Sequence, residues 1–131
     1  MRRMIPIAYL LDTWAWIDHL KNNNPAVSLI LRGNEPVFTS VVTLTEIFIL
    51  SQRGGGREQG ERAVRFISEG SRILPVTPEI AIRAGTYEKK KFAGGIADRL
   101  IRATSENNNL LLVTGDQHFK GLAGVQYLGK K

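Results

Sequence analysis

The stretch YLLDTW, residues 9–14, ends a short apolar run on a carboxylate. Tyr9, Leu10 and Leu11 are typical of a buried β-strand, and Asp12 follows them directly. An unpaired carboxylate is costly to bury, so this acid requires a physical explanation. Either Asp12 caps a helix that starts after the strand, or it forms one wall of a cation site.

Similar apolar runs recur along the chain and alternate with amphipathic segments. Runs that are apolar on both faces are typical of strands covered on both sides. We predict strands over residues 7–11, 37–39, 73–76, 110–114 and 125–128. Strands that alternate with helices form an α/β fold with a mostly parallel sheet and right-handed crossovers. Pro75 cannot donate to a strand ladder, so the third strand is predicted to lie near an edge.

The segments between the predicted strands carry helix signals. Thr77 is a good N-cap, and Pro78 suits the first helical position. Three glycines, Gly54, Gly55 and Gly56, divide two helical segments and predict a helical hairpin around residues 43–69. The predicted helices cover residues 13–21, 25–31, 43–53, 57–69, 78–91 and 96–107. Since neither a repeat nor an interdomain linker is visible, residues 1–131 are predicted to form a single domain.

The composition limits the class of protein and the kind of site. Hydrophobic residues make up 43% of the chain and charged residues 23%, which is an ordinary globular balance. The absence of cysteine excludes disulfides and thiolate metal sites and fits a reducing compartment. No segment approaches the ~18 continuous apolar residues of a membrane span, so we expect a cytoplasmic protein without a membrane partner. The net charge of +6 favours polyanionic partners, although many soluble proteins are basic without having one.

Four acids are predicted to meet at one edge of the sheet. Asp12 and Asp116 follow the first and fourth strands, and Glu46 and Asp98 lie early in helices next to strands. Ligands of an open parallel sheet bind at the carboxyl ends of its strands. Two carboxylates about 4 Å apart repel by roughly 4 kcal/mol at an effective dielectric near 20, so the set needs a cation. Oxygen ligands without Cys or His suit Mg²⁺ or Mn²⁺.

Each acid also has a local explanation. Asp12 is a good N-cap residue, and Asp98 in a first helical turn interacts favourably with the helix dipole. Glu46 completes the spacing of a capping box with Thr43, and Asp116 fits a turn. Three hydroxyl residues are candidates for orienting the acids or metal waters, with helix caps and strand ends as the alternative: Thr13, Ser40 and Thr114. It is the set of acids, more than any one member, that indicates a cation site.

Four motifs in this order resemble a known family: YLLDT (9–13), TSVVTLTE (39–46), IADRLI (96–101) and LVTGDQHF (112–119). Their order and spacing resemble the PIN-domain ribonucleases, and in particular the VapC-type toxins of prokaryotic toxin–antitoxin pairs. The resemblance runs from about Ile7 to Leu128. It implies a PIN-like three-layer α/β/α sandwich with a mostly parallel, about five-stranded sheet. It also implies a Mg²⁺ or Mn²⁺ site and cleavage of RNA, with catalytic and metal-binding roles for Asp12, Glu46, Asp98 and Asp116.

The resemblance also implies partners for the protein. An acidic pocket repels RNA, so basic residues must hold the strand around it, and four are candidates: Arg53, Arg57, Arg99 and Arg102. The hairpin has more apolar positions than one buried face needs. Core packing is one explanation, and the resemblance implies another, a homodimer interface and a groove for a small antitoxin. Two residues depart from the family pattern. Trp14 stands where a small or polar residue is frequent, and Gly115 stands where Asn, Arg or Asp is frequent.

Two other functions stay open on the sequence. A phosphoryl-transfer or receiver-type α/β domain needs a second acid close to the first, which the residues after Asp12 do not supply. A catalytically silent PIN-like module would bind RNA or a protein without cutting. The main prediction is a Mg²⁺- or Mn²⁺-dependent endoribonuclease that hydrolyses RNA phosphodiesters and acts as the toxin of a toxin–antitoxin system. His118, two residues past Asp116, is predicted to be a surface residue.

Overall fold

Five parallel strands form one sheet in a computed structural model that describes residues 7–129. The strands are β1 (Tyr9–Leu11), β2 (Val37–Ser40), β3 (Arg72–Leu74), β4 (Leu111–Thr114) and β5 (Val125–Tyr127). They lie in the order β3-β2-β1-β4-β5, and each neighbouring pair is parallel. The predicted α/β class and the five-stranded parallel sheet are confirmed.

The strand order reverses at the centre of the sheet. Tyr9 of β1 pairs with Val37 of β2 on one side and with Leu111 of β4 on the other. From β1 the chain runs outward to β2 and β3, and it then returns to the other side for β4 and β5. The carboxyl ends of β1 and β4 therefore form the crevice in which such sheets bind ligands. Asp12 directly follows β1 at this crevice.

Helices cover both faces of the sheet: α1 (Thr13–Asn22), α2 (Pro25–Arg32), α3 (Val41–Gly70), α4 (Pro78–Thr86), α5 (Ile96–Asn107) and a 3₁₀ turn (Gln117–Phe119). Side chains alternate between the faces of a strand, so Leu11 packs with Trp16 of α1, whereas Leu10 packs with Ile101 of α5. The two clusters are the two cores of a three-layer α/β/α sandwich. None of the helices in the described part of the chain is long and apolar enough to cross a membrane.

The long helix α3 reverses direction at Gly56. Its φ of 78° and ψ of −175° are non-helical, and glycine reaches such a positive φ without steric cost. A Cβ atom on Gly60 would lie 2.9 Å from the Phe48 ring, so these two residues are in contact. In a straight helix they would be about 18 Å apart at 1.5 Å per residue. The chain therefore folds back as a helical hairpin whose turn lies at Gly56.

The end of α4 is the boundary that differs most from the prediction. The periodicity predicts a helix to residue 91, whereas α4 ends at Thr86. Tyr87 is extended, its ring packs edge-on against Phe92 at 5.8 Å, and its hydroxyl donates to Glu106. These tertiary contacts outweigh the local helix propensity of the following residues. Pro75 lies directly after β3, and β3 is an edge strand as predicted.

Candidate active site

The four predicted acids lie at the carboxyl edge of the sheet, and each is carried by a different element. Asp12 is the N-cap of α1, and Asp98 lies in the first turn of α5. Asp116 caps the 3₁₀ turn after β4, and Glu46 lies in α3. The Thr114 hydroxyl bonds to Asp12 and to the backbone of Asp116, and His118 contacts both Asp98 and Asp116, so the three aspartates lie close together. The fold thus gathers acids that are distant in the sequence.

Asp12 is both a helix cap and a member of the acid cluster. Its side chain is buried, with 3% of the residue exposed. Oδ1 accepts a hydrogen bond from the backbone N–H of Ala15 at 2.8 Å, and Oδ2 accepts one from the Thr114 hydroxyl at 2.5 Å. Burial, the largest cause, raises the pKa of Asp12 to about 7. The two hydrogen bonds act in the opposite direction, and the charges of Asp116 and Asp98 act in the same direction as burial.

Asp98 and Asp116 are joined by the imidazole of His118. Nδ1 of His118 lies 2.8 Å from Oδ2 of Asp98 and 3.3 Å from Oδ1 of Asp116. Burial is the largest cause that raises the pKa of Asp98, the bond to His118 lowers it, and the charge of Asp116 raises it. One ligand atom from each of the three residues lies within 4.8 Å of the others. A single cation fits this spacing.

His118 has a role that the sequence interpretation missed. Its side chain is 46% exposed, which agrees with a surface position, yet the ring contacts both acids. Its backbone N–H also donates to Oδ1 of Asp116 at 2.9 Å. The spacing of two residues from Asp116 was the available signal, because a cap and its 3₁₀ turn bring such neighbours together.

Glu46 reaches the site through Thr13. The Thr13 hydroxyl donates to Oε1 of Glu46 at 2.5 Å and lies 3.2 Å from the Thr43 hydroxyl. The capping box offered as a local explanation of Glu46 is wrong, because α3 begins directly after Ser40. The Ser40 hydroxyl accepts from the N–H of Val42 at 3.1 Å and is the actual cap. Glu46 is therefore oriented by α1 and not by its own helix start.

Thr114 connects the first and last acids of the chain. Its hydroxyl donates to Oδ2 of Asp12 and accepts from the backbone N–H of Asp116 at 2.9 Å. Thr114 is fully buried, so these bonds are shielded from water. Of the three hydroxyl residues proposed to orient the acids, Thr13 and Thr114 contact them directly, whereas Ser40 caps α3.

Two glycines leave space that the site requires. A Cβ atom on Gly94 would lie 2.7 Å from Cβ of Asp98, and one on Gly115 would lie 2.4 Å from the Trp14 ring. Neither glycine has a positive φ, so neighbouring side chains and not backbone conformation require glycine here. Trp14 and Gly115, the two departures from the family pattern, are therefore in contact with each other.

The four arginines predicted to bind RNA fall into two groups. Arg53 and Arg57 are exposed on the hairpin formed by α3. Arg99 is partly buried and donates to a backbone carbonyl of α4 at 3.0 Å. The guanidinium of Arg102 lies 4.1 Å from the centre of the Tyr87 ring. RNA binding by all four stays a prediction, and exposure favours the pair on the hairpin.

The model of one protein family, described as the PIN domain, matches residues 9–125. The chain belongs to the PIN-domain family. The matched segment contains the acids of the crevice, from Asp12 to Asp116. No curated protein matches the sequence of this PIN domain.

Several solved structures share the fold of this PIN domain. A toxin–antitoxin complex from Klebsiella pneumoniae contains a chain with 23% identity and a TM-score of 0.74, over 90% of this chain and 95% of that chain. The matching chain of VapBC-1 from nontypeable Haemophilus influenzae has 22% identity and a TM-score of 0.76, over 94% of this chain and 98% of that chain. VapC20 from Mycobacterium tuberculosis is described as a toxin that cleaves the sarcin-ricin loop. It has 20% identity and a TM-score of 0.71, over 90% of this chain and 98% of that chain. These likenesses establish the fold.

Proposed function

We propose that this PIN domain is a Mg²⁺- or Mn²⁺-dependent endoribonuclease that hydrolyses RNA phosphodiesters. The observation that supports this function is the meeting of Asp12, Asp98 and Asp116 at the crevice of the sheet. Burial raises the pKa of both Asp12 and Asp98, and the other acids add to that rise. Perturbed carboxyl groups that share a cleft are typical of functional sites.

The donor set fits a hard divalent cation. Carboxylate oxygens are the ligands that Mg²⁺ and Mn²⁺ prefer, and a cation would offset the repulsion between the acids. Asp98 and Asp116 would hold the ion, because their oxygens already lie within a spacing that one ion can bridge. Asp12 would complete the negative charge, and Glu46 would contribute directly or through water.

The residues of the chain would supply the geometry of the reaction. A bound divalent ion stabilises charge on a phosphoryl oxygen and lowers the pKa of water. Thr114 and the Ala15 N–H fix the two oxygens of Asp12, and Thr13 orients Glu46. These bonds hold the acids in one arrangement before substrate arrives, which reduces the cost of reorganisation.

RNA would be held outside the acid cluster by positive charge. The chain has a net charge of +6, and Arg53 and Arg57 are exposed on the hairpin. Contacts between these cations and phosphates would release counterions, so RNA affinity is expected to fall with increasing salt concentration. Single-stranded RNA and exposed loops of structured RNA are the proposed substrates.

Cleavage of RNA by purified protein tests the proposed activity. The wild type is incubated with single-stranded RNA in Mg²⁺, in Mn²⁺ or in EDTA, next to Asp98→Asn and Asp18→Asn. Asp18 is a matched control, since its carboxylate lies in α1 and is held by Asn22 and Asn24. We expect cleavage only with a cation, a loss of at least ~100-fold in Asp98→Asn, and wild-type activity in Asp18→Asn.

The alternatives give different results in the same experiment. Equal cleavage by wild type and Asp98→Asn would assign the activity to a contaminant and contradict the proposal. Binding of RNA without cleavage in any cation would indicate a catalytically silent module. A covalent aspartyl-phosphate formed from a small phosphodonor would indicate a phosphoryl-transfer domain.

We further propose that the protein is the toxin of a toxin–antitoxin pair, acts in the cytoplasm, and forms a homodimer. The likeness to chains from toxin–antitoxin complexes supports this role, as do exposed apolar side chains on the hairpin. Ile49, Leu50 and Phe66 are 39%, 45% and 50% exposed.

Induced expression is expected to arrest growth for the wild type but not for Asp98→Asn. A small protein encoded beside the gene should relieve the arrest, and arrest by Asp98→Asn would contradict the toxin role.

A further inference from the structure

We propose that Trp14 is a positioning residue of the acid site. Its indole ring packs on the backbone at Gly115 and thereby fixes Asp116 relative to Asp12. The inference rests on the proposed function for the role of the acids, whereas the packing rests on geometry alone.

Gly115 lies directly against the indole ring. A Cβ atom on Gly115 would be 2.4 Å from Cη2 and Cζ2 of Trp14 and 2.5 Å from Cε2. Carbon atoms that are not bonded do not approach within 3 Å, so an alanine would force the ring or the backbone to move. Gly115 is buried, and its φ is outside the left-handed region. The ring of Trp14 is thus the reason that this position holds glycine.

The residues that follow β5 make a second contact with the backbone around Gly115. The backbone N–H of Leu128 donates to the carbonyl of Thr114 at 2.6 Å. A Cβ atom on Gly129 would lie 2.6 Å from the carbonyl oxygen of Gly115. The backbone before Asp116 is therefore held by two neighbours, the indole ring of Trp14 and the segment after β5.

Gly115 contacts Trp14 and directly follows Thr114, and both of these residues are connected to the acids. Thr114 before it donates to Oδ2 of Asp12 and accepts from the N–H of Asp116 after it. Trp14 lies in the first turn of α1, the helix that Asp12 caps. One ring therefore connects the helix that carries the first acid to the loop that carries the last.

This arrangement predicts a specific consequence of disturbing the ring. Gly115 and Asp116 are adjacent, so a shift of the glycine moves the acid and weakens its bond to Thr114. Metal and catalytic sites need their ligands held within about 0.5 Å of the productive geometry. Crowding or removing the ring should therefore affect the acid site specifically, beyond any general loss of stability.

Amide hydrogen exchange of the metal-free protein tests the inference without an activity assay. Two amides report the position of the acid: the Asp116 N–H bonds to Thr114, and the His118 N–H bonds to Asp116. In Gly115→Ala and in Trp14→Ala, both amides are expected to exchange at least ~10-fold faster than in the wild type. Trp14→Phe keeps a smaller ring and should give a smaller increase.

A matched control separates this effect from overpacking in general. Gly60→Ala also places a Cβ against an aromatic ring, because it would lie 2.9 Å from Phe48, but it does so in the hairpin. It is expected to leave both reporter amides unchanged. Gly115→Ala should add nothing in a Trp14→Ala background, since the clashing ring is gone. Unchanged reporters in Gly115→Ala, or additive effects in the double variant, would overturn the inference.

Calorimetric titration with Mn²⁺ connects the inference to the proposed function. Gly115→Ala is expected to bind Mn²⁺ at least ~10-fold more weakly than the wild type, with Gly60→Ala unchanged. Equal affinity in Gly115→Ala and wild type would overturn the positioning role. If the wild type binds no Mn²⁺ while the reporter amides respond as expected, the proposed metal-dependent function fails and the positioning of the acids by Trp14 stands.

Discussion

Two polar clusters in this PIN domain, one around Glu106 and one at the crevice, give their acids different electrostatic surroundings. Glu106, near the end of α5, accepts a hydrogen bond from the Tyr87 hydroxyl and lies 3.7 Å from Arg83 and 3.8 Å from Arg102. The guanidinium of Arg102 also packs on the Tyr87 ring. The chain itself therefore supplies positive partners for the charge of Glu106.

Asp12, the buried acid of the crevice, has negative neighbours instead. Burial raises the pKa of Asp12 to about 7, and the charges of Asp116 and Asp98 add to that rise. The chain has eighteen Lys and Arg residues, so cations for this purpose are not scarce. Within the described residues, Glu106 has cationic partners whereas Asp12 has the charges of two other acids, which is the arrangement that the proposed cation site needs. Charge compensation, more than the number of acids, is therefore the basis on which we propose a structural role for the first cluster and a functional role for the second.

The largest expected difference between the two clusters is in RNA cleavage. Asp116→Asn should lower the rate by at least ~1000-fold, equivalent to about 4 kcal/mol of transition-state stabilisation. Glu106→Gln should stay within about threefold of the wild type, because its cluster only holds α4 and α5 together. Initial rates with a fluorescent RNA measure both. A comparable loss in both variants would remove the distinction between the clusters.

The next effect concerns the stability of the metal-free protein. The pKa of Asp12 rises from 3.8 to about 7 on folding, so the folded state binds more protons between those values. The free energy of unfolding therefore falls as pH rises through this range and stays low above it. Asp12→Asn should remove this loss and stabilise the protein at pH 8 by on the order of 4 kcal/mol.

Urea unfolding in EDTA at pH 4 and pH 8 measures this effect. The gain from Asp12→Asn should be present at pH 8 and nearly absent at pH 4. Glu106→Gln should not stabilise the protein at either pH, since it removes attractive ion pairs worth about 1 kcal/mol or less. A destabilised Asp12→Asn at pH 8 would show that the buried carboxylate is compensated after all.

An added cation should stabilise the folded protein by binding at the crevice and not at the Glu106 cluster. At a Mn²⁺ concentration of about 100 times Kd, mass action raises the free energy of unfolding by about 2.7 kcal/mol. Asp116→Asn should lose this increase, and Glu106→Gln should keep it. Thermal melts with and without Mn²⁺ measure the shift in Tm. A shift of equal size in Asp116→Asn would place the cation elsewhere.

The smallest expected effect comes from crowding Asp98 at the crevice. Gly94→Ala would press on Asp98 and should weaken Mn²⁺ binding by ~10-fold, or about 1.4 kcal/mol. Gly85→Ala is the control, because nothing lies within 4 Å of a Cβ there and helix α4 gains propensity. Calorimetry with Mn²⁺ measures both variants. Wild-type affinity in Gly94→Ala would show that Asp98 tolerates displacement.

The fold and the acids of the site were accessible to sequence reasoning for different reasons. The apolar runs predicted the strands because burial on both faces leaves a local pattern. Asp12 and Asp116 were predicted because the ends of parallel strands lie at one edge. The end of α4 was not predictable, since Tyr87 leaves the helix for contacts with Phe92 and Glu106.

The finer organisation of the site depended on contacts across the chain. The capping box at Glu46 satisfied every local rule, but the bond from Thr13 joins residues 33 positions apart. The bond between Thr114 and Asp12 spans 102 positions. The contact of Trp14 with Gly115 is of the same kind, and it turned two unrelated departures from a pattern into one feature. His118 is a surface residue as predicted, but only the fold shows that its ring contacts two acids.

By itself, the sequence determined which segments become strands and helices and which acids stand at strand ends, because periodicity and neighbouring residues carry that information. Only the tertiary structure decided which acids of residues 7–129 have cationic partners, which hydroxyls orient them, and why position 115 is glycine. These properties depend on distances between residues that meet only after the chain has packed, and electrostatic and steric energies depend on those distances.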